Sequence, residues 1–307
     1  MNLCILYAGI EDERQVWPDK RSLALQRMAG NNVLGHVLNQ LWDANPDQVF
    51  VVVQQDEEAI AAWFLEQIPH IDAKVMSVPP GTKPLQALAV CRDYCDNEPL
   101  LVTLGSRVTE ANYKHLEQHM ADVTNFTRPR QENDWAGVCY FQRGVDCFAA
   151  LDEARMAGVP SLVAFVEALQ QGDLHLEKQP ATMSLETKTA ADLLFANARL
   201  LGLGYGTEDA IERSYMEDFT VLPPVYMHET AVIENAVIGP FANVEAGAII
   251  RDSVVRNSLI GRDSEISNVV LEGSIIGANA QVSASGHALF VEDNAQVTAD
   301  ISLTAKC

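Results

Sequence analysis

The sequence predicts two units of different fold class: an α/β domain with a mainly parallel sheet, followed by a parallel β-helix built from hexapeptide repeats. Up to about residue 205, short apolar runs alternate with helical patterns, and after residue 222 aliphatic residues recur six positions apart. Pro223-Pro224 separates the two patterns. A chain of 307 residues, of which 48% are hydrophobic, is large and apolar enough for two such cores.

Strand-like and helix-like segments alternate through the first half. Strands that alternate with helices form parallel sheets covered on both faces, and ligands of such sheets lie at the carboxyl ends of the strands. The loops after Ala8 and Leu104 are therefore where we expect chemistry. The predicted strands are NLCILYA (2–8), QVFVVV (48–53), AKVMSV (73–78), PLLVTLG (99–105) and AGVCYF (136–141), and the predicted helices include 33–44, 85–95 and 112–122.

Aliphatic residues in the second half follow the period of a hexapeptide β-helix, in which each unit forms a short strand and points one aliphatic side chain inward. Two aliphatic residues followed by glycine recur at 237–239, 259–261 and 275–277. Flat faces and strand edges are costly to leave bare, so we expect homo-oligomers that form through this β-helix. The predicted inward residues are Val232, Ile238, Val244 and Ile250 and, in a second phase, Ile260, Ile266, Ile276 and Val282.

Charge and cysteine content limit the classes of partner and compartment. The chain carries 21 basic against 42 acidic side chains, and its formal net charge of −21 argues against nucleic acid and anionic membranes as partners. We expect neither a membrane span nor a signal peptide, because no apolar run is long enough and the first residues lack a basic start. The 6 cysteines are scattered, several within apolar runs, which favours reduced thiols in a cytoplasmic protein.

The order and spacing of several segments resemble the sugar-1-phosphate nucleotidyltransferases. The closest likeness is to the long glucose-1-phosphate thymidylyltransferases, which carry a hexapeptide tail. The first strand with Ala8-Gly9 resembles that family's opening, and Met28-Ala29-Gly30 falls where the family has Val-Ala-Gly. Further segments that resemble family motifs, in the family's order, are 33–41, 80–82, 100–106, 136–141, 186–201 and 274–297.

The resemblance implies a fold and a reaction. The fold would be a Rossmann-like nucleotidyltransferase α/β domain over residues 1–222 and a left-handed parallel β-helix of hexapeptide repeats over residues 223–307. The reaction would join a nucleoside triphosphate and a sugar 1-phosphate to give a nucleotide sugar and diphosphate, with Mg²⁺ as cofactor. Such catalysis consists of positioning the phosphates and neutralising their developing charge.

The residues that would perform this reaction are largely replaced. The family has Gly-x-Gly-Thr-Arg after its first strand, whereas an ungapped alignment from Gly9 places 11–13, Glu-Asp-Glu, at the last three positions. Losing the second glycine removes the close backbone approach to a phosphate, and each acid adds repulsion of roughly 3 kcal/mol at about 6 Å. After the fourth strand, Gly105 is followed by Ser106 in place of a metal-binding Asp, and Glu186 stands for the second metal Asp.

The Glu-Lys-Pro motif of the family has no clear counterpart. Only 31 residues separate Gly105 from Gly137, too few for the strand pair that carries this motif. Arg128-Pro129-Arg130 is the nearest match, and we expect it to lie in a loop.

These replacements predict a non-catalytic homologue that acts as an assembly or regulatory subunit and needs no cofactor. Its partners would be copies of itself and, as the resemblance implies, an active paralogous nucleotidyltransferase. Alternatively, the protein is an active enzyme. Its rearranged loop would then use Arg14, Lys20 and Arg21 in place of the usual residues, and Glu186 and Asp12 would hold Mg²⁺. A third hypothesis is a protein that binds a sugar phosphate or nucleotide without turnover. Positions that could still contact a ligand are Gly9, Arg14, Lys20, Arg21, Gly81, Thr82, Gly105, Ser106, Gly137 and Tyr140.

Structural explanations compete with several of these functional ones. Core packing accounts for Tyr140 equally well, and a Pro-Gly turn at 80–81 needs no ligand. His115 and His119 lie four residues apart and could grip a metal from one helix face, but no third ligand is evident, so a solvated face is favoured.

Overall fold

The structure, a computed structural model, describes residues 1–7, 22–95, 98–207 and 219–284, apart from the side chains of 132 and 133. Helices α1 to α6 are Val33–Leu41, Glu57–Gln67, Pro84–Ala89, Gly144–Met156, Leu162–Leu169 and Ala190–Gly202. Strands β1 to β11 are Asn2–Leu6, Arg27–Met28, Asn31–Asn32, Gln48–Val53, Asp72–Ser77, Leu100–Leu104, Arg107–Glu110, Val123–Arg128, Gln131–Phe141, Leu176–Pro180 and Met183–Glu186. Among the described residues, no helix combines the length and the apolar character that crossing a membrane requires.

The first unit is mixed α/β, with a seven-stranded sheet in the order β10-β8-β9-β6-β1-β4-β5. The predicted strands are confirmed as β1, β4, β5, β6 and β9, and the sheet is mainly parallel. β9 is the exception, because a tight hairpin joins it to β8 and it therefore runs antiparallel to both β8 and β6. Both faces are buried: along β1, Leu3 and Ile5 enter one core, and Cys4 and Leu6 enter the other.

Two of the three predicted helices need correction. The 33–44 prediction is confirmed as α1 with a 3-10 turn at Trp42–Ala44, but 85–95 forms only the short α3 and a 3-10 turn at Arg92–Tyr94. The helix predicted over 112–122 is wrong, since only a 3-10 turn at Leu116–Gln118 forms there. The Asn112 side chain accepts the Lys114 N–H, and His115 takes a left-handed φ of 60°, so local turn hydrogen bonding replaces the helix.

The second unit consists of three four-stranded parallel sheets, a pattern compatible with the predicted β-helix. Its strands β12 to β23 are Thr220–Val221, Tyr226–Met227, Val232–Glu234, Val237–Ile238, Asn243–Val244, Ile249–Arg251, Val254–Arg256, Leu259–Ile260, Glu265–Ser267, Val270–Glu272, Ile275–Ile276 and Gln281–Ser283. We name the sheets face one (β12-β15-β18-β21), face two (β13-β16-β19-β22) and face three (β14-β17-β20-β23). Because β12 pairs with β15, face one already includes residues 220–221.

The interior of this unit follows the hexapeptide period with one exception. Ile238, Val244, Ile250, Ile260 and Ile266 are buried as predicted, and Ile276 and Val282 pack against the same core but are only partly buried. Val232, however, is 42% exposed, and its neighbour Ile233 occupies the inward position because the strand register pairs it with Ile250. A shift of one residue in a strand exchanges its two faces, which explains the error.

Left-handed residues form the corners between the faces. One column contains Asn235, Asp252 and Asn268, and another contains Gly247, Asp263 and Asn279, all at positive φ. Glycine, asparagine and aspartate are the residues that tolerate this conformation, so the corners explain the small and polar residues between the aliphatic ones.

We expect the corner at Asn268 to discriminate between substitutions by backbone conformation alone. Asn268 has φ of 55° and an exposed side chain. Asn268→Gly should leave the free energy of unfolding nearly unchanged, whereas Asn268→Val should lower it by about 1–2 kcal/mol, since a β-branched side chain clashes at positive φ. Urea titration followed by circular dichroism measures the difference. Equal stability of the two variants would contradict the corner assignment.

Candidate functional site

The candidate site lies where β6 ends and, after a turn at residues 105–106, β7 begins. The antiparallel pairing of β7 with β11 places Arg107 directly opposite Glu186. Two of the predicted positions, Ser106 and Glu186, thus come together at this strand end, 80 residues apart in the chain. The strand pairing, not sequence proximity, builds the site.

Two guanidinium groups hold the Glu186 carboxylate. Arg107 Nη2 and Arg128 Nη2 both donate to Glu186 Oε1, the latter at 2.8 Å. Arg128 is the last residue of β8, and its Nε lies 3.1 Å from Asp134 Oδ2 on the neighbouring strand. Two cations and two carboxylates therefore neutralise one another. The prediction of a loop at 128–130 is wrong for Arg128, because the hairpin with β9 extends the strand through it.

Gly137 makes room for the Arg107 side chain. It has φ of 90°, and a Cβ atom there would lie 2.8 Å from Arg107 Cδ. The register of β8 against β9 shifts between Asn125 and Thr127, as at a β-bulge, and the bulge allows Trp135 to present its carbonyl to Arg107 Nη1. Only glycine combines this conformation with this close approach.

The charges of the cluster shift one another's pKa values. Burial lowers the pKa of Arg107 despite the attraction to Glu186, although a guanidinium remains charged at any working pH. Burial also opposes ionisation of Glu186, but the charges and hydrogen bond of Arg107, with Lys188 and Arg128, outweigh it. The pKa of Glu186 therefore lies below its ordinary value, and the carboxylate is ionised at neutral pH.

Gly105 and Ser106, which directly precede Arg107 in the chain, are held by contacts with Tyr7 and Thr187. A Cβ atom at Gly105 would lie 2.5 Å from the Tyr7 ring, so ring packing alone requires glycine. The Ser106 carbonyl accepts hydrogen bonds from the Thr187 N–H and hydroxyl at 2.9 and 3.1 Å. The Ser106 hydroxyl is fully buried and has no hydrogen-bond partner in the described part of the chain.

The described residues of this site do not fit Mg²⁺. Glu186 Oε1 already accepts two guanidinium hydrogen bonds, and a buried neutral serine hydroxyl is a poor ligand for a hard cation that prefers carboxylates and water. Within residues 1–7, 22–95, 98–207 and 219–284, no cluster of three or more His, Cys, Asp or Glu could hold a metal ion. Gly9, Asp12, Arg14, Lys20 and Arg21, which complete the predicted set, lie outside the described residues.

The remaining predicted positions lie apart from the cluster. Gly81 has φ of 78°, and the Thr82 hydroxyl and N–H both donate to the Pro79 carbonyl, so this turn after β5 satisfies itself. Tyr140 is buried in the first core, where its hydroxyl donates to Gln142 at 3.3 Å. Burial raises the pKa of Tyr140 to about 12.

The contacts of His115 and His119, and those of the neighbouring cysteines Cys91 and Cys95, are explained by packing and by local hydrogen bonds. His115 contacts Gln118 beside the 3-10 turn, whereas His119 contacts Thr124 and Gln179, so the two rings do not share a helix face. Cys91 and Cys95 are both buried in the second core, and Cys91 Sγ lies 3.4 Å from Cys4 Sγ.

Arg107 and Asp134 are the residues of the cluster that sequence reasoning missed. Arg107 begins a short strand, RVTE, that is mostly buried and comes directly after the family-like Gly-Ser. A charged residue at the start of such a buried segment is the signal that could have identified it, because a buried arginine requires a partner.

We expect Glu186→Gln to lower the free energy of unfolding by roughly 2–4 kcal/mol. The substitution leaves the Arg107 side chain, 8% exposed, without its anionic partner, and removing one partner of a buried ion pair is strongly destabilising. Glu167→Gln, at an exposed position of α5, is the matched control and should change stability little. Chemical denaturation of the two variants measures the difference. Equal effects would contradict a structural role for the pair.

The stability that Glu186 contributes should depend on pH in one direction. Its folded-state pKa lies below the unfolded value, so its contribution is full above about pH 5 and is lost as the pH falls through the folded pKa. The stability difference between the unsubstituted protein and Glu186→Gln should therefore be constant from pH 5 to 8 and shrink towards pH 3. A difference independent of pH over this range would exclude an ionised Glu186 as its source.

Comparison of the chain with protein-family models and with curated proteins found no match. The residues and their geometry therefore carry the functional conclusion.

Proposed function

We propose that this protein is a non-catalytic homologue of the sugar-1-phosphate nucleotidyltransferases that acts as an assembly or regulatory subunit. The observation that carries the proposal is the double arginine contact to Glu186 Oε1. A metal-dependent phosphoryl transfer needs carboxylates that are open to a cation and cations that are open to phosphate. In this cluster each charge instead has an internal partner of opposite sign.

The neighbouring residues support the same proposal. Ser106, which the resemblance aligns with a metal-binding Asp, is fully buried, and its carbonyl is held by Thr187. The glycines at 105 and 137 are explained by packing against Tyr7 and Arg107, so their retention needs no ligand. Each of these two retained glycines thus has a structural reason that is independent of catalysis.

An active enzyme is the second candidate, and one observation favours it. Arg107 and Arg128 bring two cations to the end of β6, and Glu186 and Asp134 bring two carboxylates, which are the charges that a phosphoryl transfer site uses. In this alternative, Mg²⁺ and a triphosphate would compete with the internal ion pairs, with Asp12 and Glu186 as the metal ligands. The cost of separating a partly buried ion pair opposes this.

The proposal places the protein in the cytoplasm, where it would assemble with copies of itself or with an active paralogue. The five cysteines that the structure describes are all buried, and none forms a disulfide with another of them, which agrees with a reducing compartment.

We expect the melting temperature to stay unchanged in the presence of nucleoside triphosphates with Mg²⁺, or of glucose 1-phosphate. A ligand at 100 times its dissociation constant would add about 2.7 kcal/mol of stability, which a thermal scan detects easily. Inorganic phosphate and diphosphate, each with Mg²⁺, serve as controls for unspecific anion binding.

Two results of this scan would change the assignment. A shift with a triphosphate and Mg²⁺ that phosphate does not reproduce, together with release of diphosphate in a turnover assay, would overturn the non-catalytic proposal and establish the enzyme. A shift with the sugar phosphate alone would instead identify a protein that binds its ligand without turnover.

A further inference from the structure

The three faces of the second unit differ in what their outward residues contact. On face two the outward row is Tyr226, Asn243, Leu259 and Ile275. Leu259 belongs to the first core of the α/β unit, against which Tyr226 and Ile275 also pack. Face two therefore packs against the α/β unit through the buried Asn243 and Leu259, while the half-buried Tyr226 and Ile275 border a groove of about 750 Å³ between the two units.

Face three is polar over most of its outward surface. Arg251 Nε donates to Glu234 Oε2 at 2.6 Å, and Gln281 donates to Glu265 at 3.2 Å along the same face. Val232 and Ile249 are apolar, but they occupy only its first two strands. The polar groups of face three are therefore hydrogen-bonded to one another or open to water, and they need no protein partner.

Face one is apolar along the outward row of its last three strands, and on its first strand the outward residue is Thr220. Val237, Val254 and Val270 stand side by side on adjacent paired strands, with Ile238, Val255 and Leu271 as their inward neighbours. Val270 is 66% exposed. The row runs beside a groove of about 620 Å³ that reaches the α/β unit, where Phe195 is 60% exposed. The groove is lined by Ala191, Leu194, Phe195, Ala198, Pro240, Phe241, Arg256, Asn257 and Glu272. Paired strands about 4.8 Å apart make this a continuous apolar strip.

The charges on face one are balanced and paired in register. Arg256 and Glu272 are exposed, follow the valine row at its groove side and lie opposite each other on β18 and β21. The whole chain carries a formal net charge of −21, so most surfaces of two copies repel each other. A strip that is apolar and has no net charge is where two copies can approach without that repulsion.

We propose that face one is the surface through which two copies of this chain form an isologous dimer. With the two-fold axis along the strands between β18 and β21, Val254 of one copy faces Val270 of the other, and Arg256 faces Glu272 in both directions. An isologous contact repeats each pairing twice, so a self-complementary strip of this kind closes as a dimer. The groove beside the strip offers each copy a recess next to Phe195.

The dimer interface rests on the assembly role proposed above and specifies it further. The two proposals are tested by different measurements on different surfaces of the protein. Ligand scans report on the strand-end cluster, whereas sedimentation reports on face one. Dimers that also bind a nucleoside triphosphate and release diphosphate from it would defeat the non-catalytic proposal and leave the interface standing. Monomers that bind no nucleotide would do the reverse.

Sedimentation velocity of the full chain over a range of micromolar concentrations tests the surface. We expect a reversible monomer–dimer equilibrium that Val270→Lys weakens at least about tenfold, because each copy would then bury an ammonium group without a partner. Val232→Lys makes the same chemical change at an exposed position of face three and should leave the dissociation constant within about twofold. Circular dichroism melts of both variants check that they fold.

A charge swap tests the pairing itself. Arg256→Glu and Glu272→Arg should each weaken the dimer, since like charges then face each other, and the double variant should restore it. Monomers at every concentration, a dimer that Val232→Lys dissociates and Val270→Lys does not, or a double variant weaker than both single ones would each overturn the proposal.

Discussion

The ion pair between Arg107 and Glu186 is the interaction on which the strand-end site depends. It joins β7 to β11 across their antiparallel pairing, and it requires the bulge in β9, because Gly137 must leave space for the Arg107 side chain. A guanidinium this deeply buried is tolerated only with an anionic partner and further acceptors. Glu186 and the Trp135 carbonyl supply them. The residue that would be a metal ligand in the resemblance is thereby committed to holding two strands together.

The second unit is fixed to the first by a polar network that limits where partners can bind. Asn243 accepts the Gly30 N–H at 2.9 Å and donates to Glu245, whose other oxygen accepts from Arg27. Asn197, in α6, accepts the Ala29 N–H and donates to the Phe241 carbonyl of the second unit at 3.0 Å. Buried polar groups that are satisfied in this way fix one relative orientation, since any other would leave them without partners. Face two is engaged in this attachment, and within the described residues faces one and three have no such contact network with the α/β unit.

The sequence was sufficient for features that depend on local period. The strands of the sheet and the hexapeptide interior follow from alternation and from a six-residue repeat, because burial imposes both. It failed where a local preference or a register decides the outcome. Asn112 and His115 turned a helical pattern into a turn, and the pairing of Ile233 with Ile250 moved Val232 to the surface.

The candidate site was predictable in its position but not in its chemistry. The end of β6 was expected from the alternation of strands and helices, and Glu186 from the resemblance. Arg107 was not expected, because its partner is 79 residues away in the chain and meets it only through the β7–β11 pairing. Ser106 was recognised as a lost carboxylate, but its burial under Thr187 could not be seen from the sequence. Long-range pairing determines which charges meet, and no local pattern encodes it.

A scaffold that no longer performs phosphoryl transfer is free of a conflict that active sites carry. Catalytic positions hold charges that are left partly unsatisfied until substrate and metal arrive, and this lowers the stability of the empty protein. Under the proposed function, the Glu186 carboxylate is ion-paired with Arg107 and Arg128, so the same strand end contributes to stability instead. An assembly subunit needs only to hold its second unit in a fixed orientation relative to the first. If the chain self-associates as proposed, a net charge of −21 favours a surface whose own charges cancel, and the valine strip of face one, with Arg256 beside Glu272, has that property.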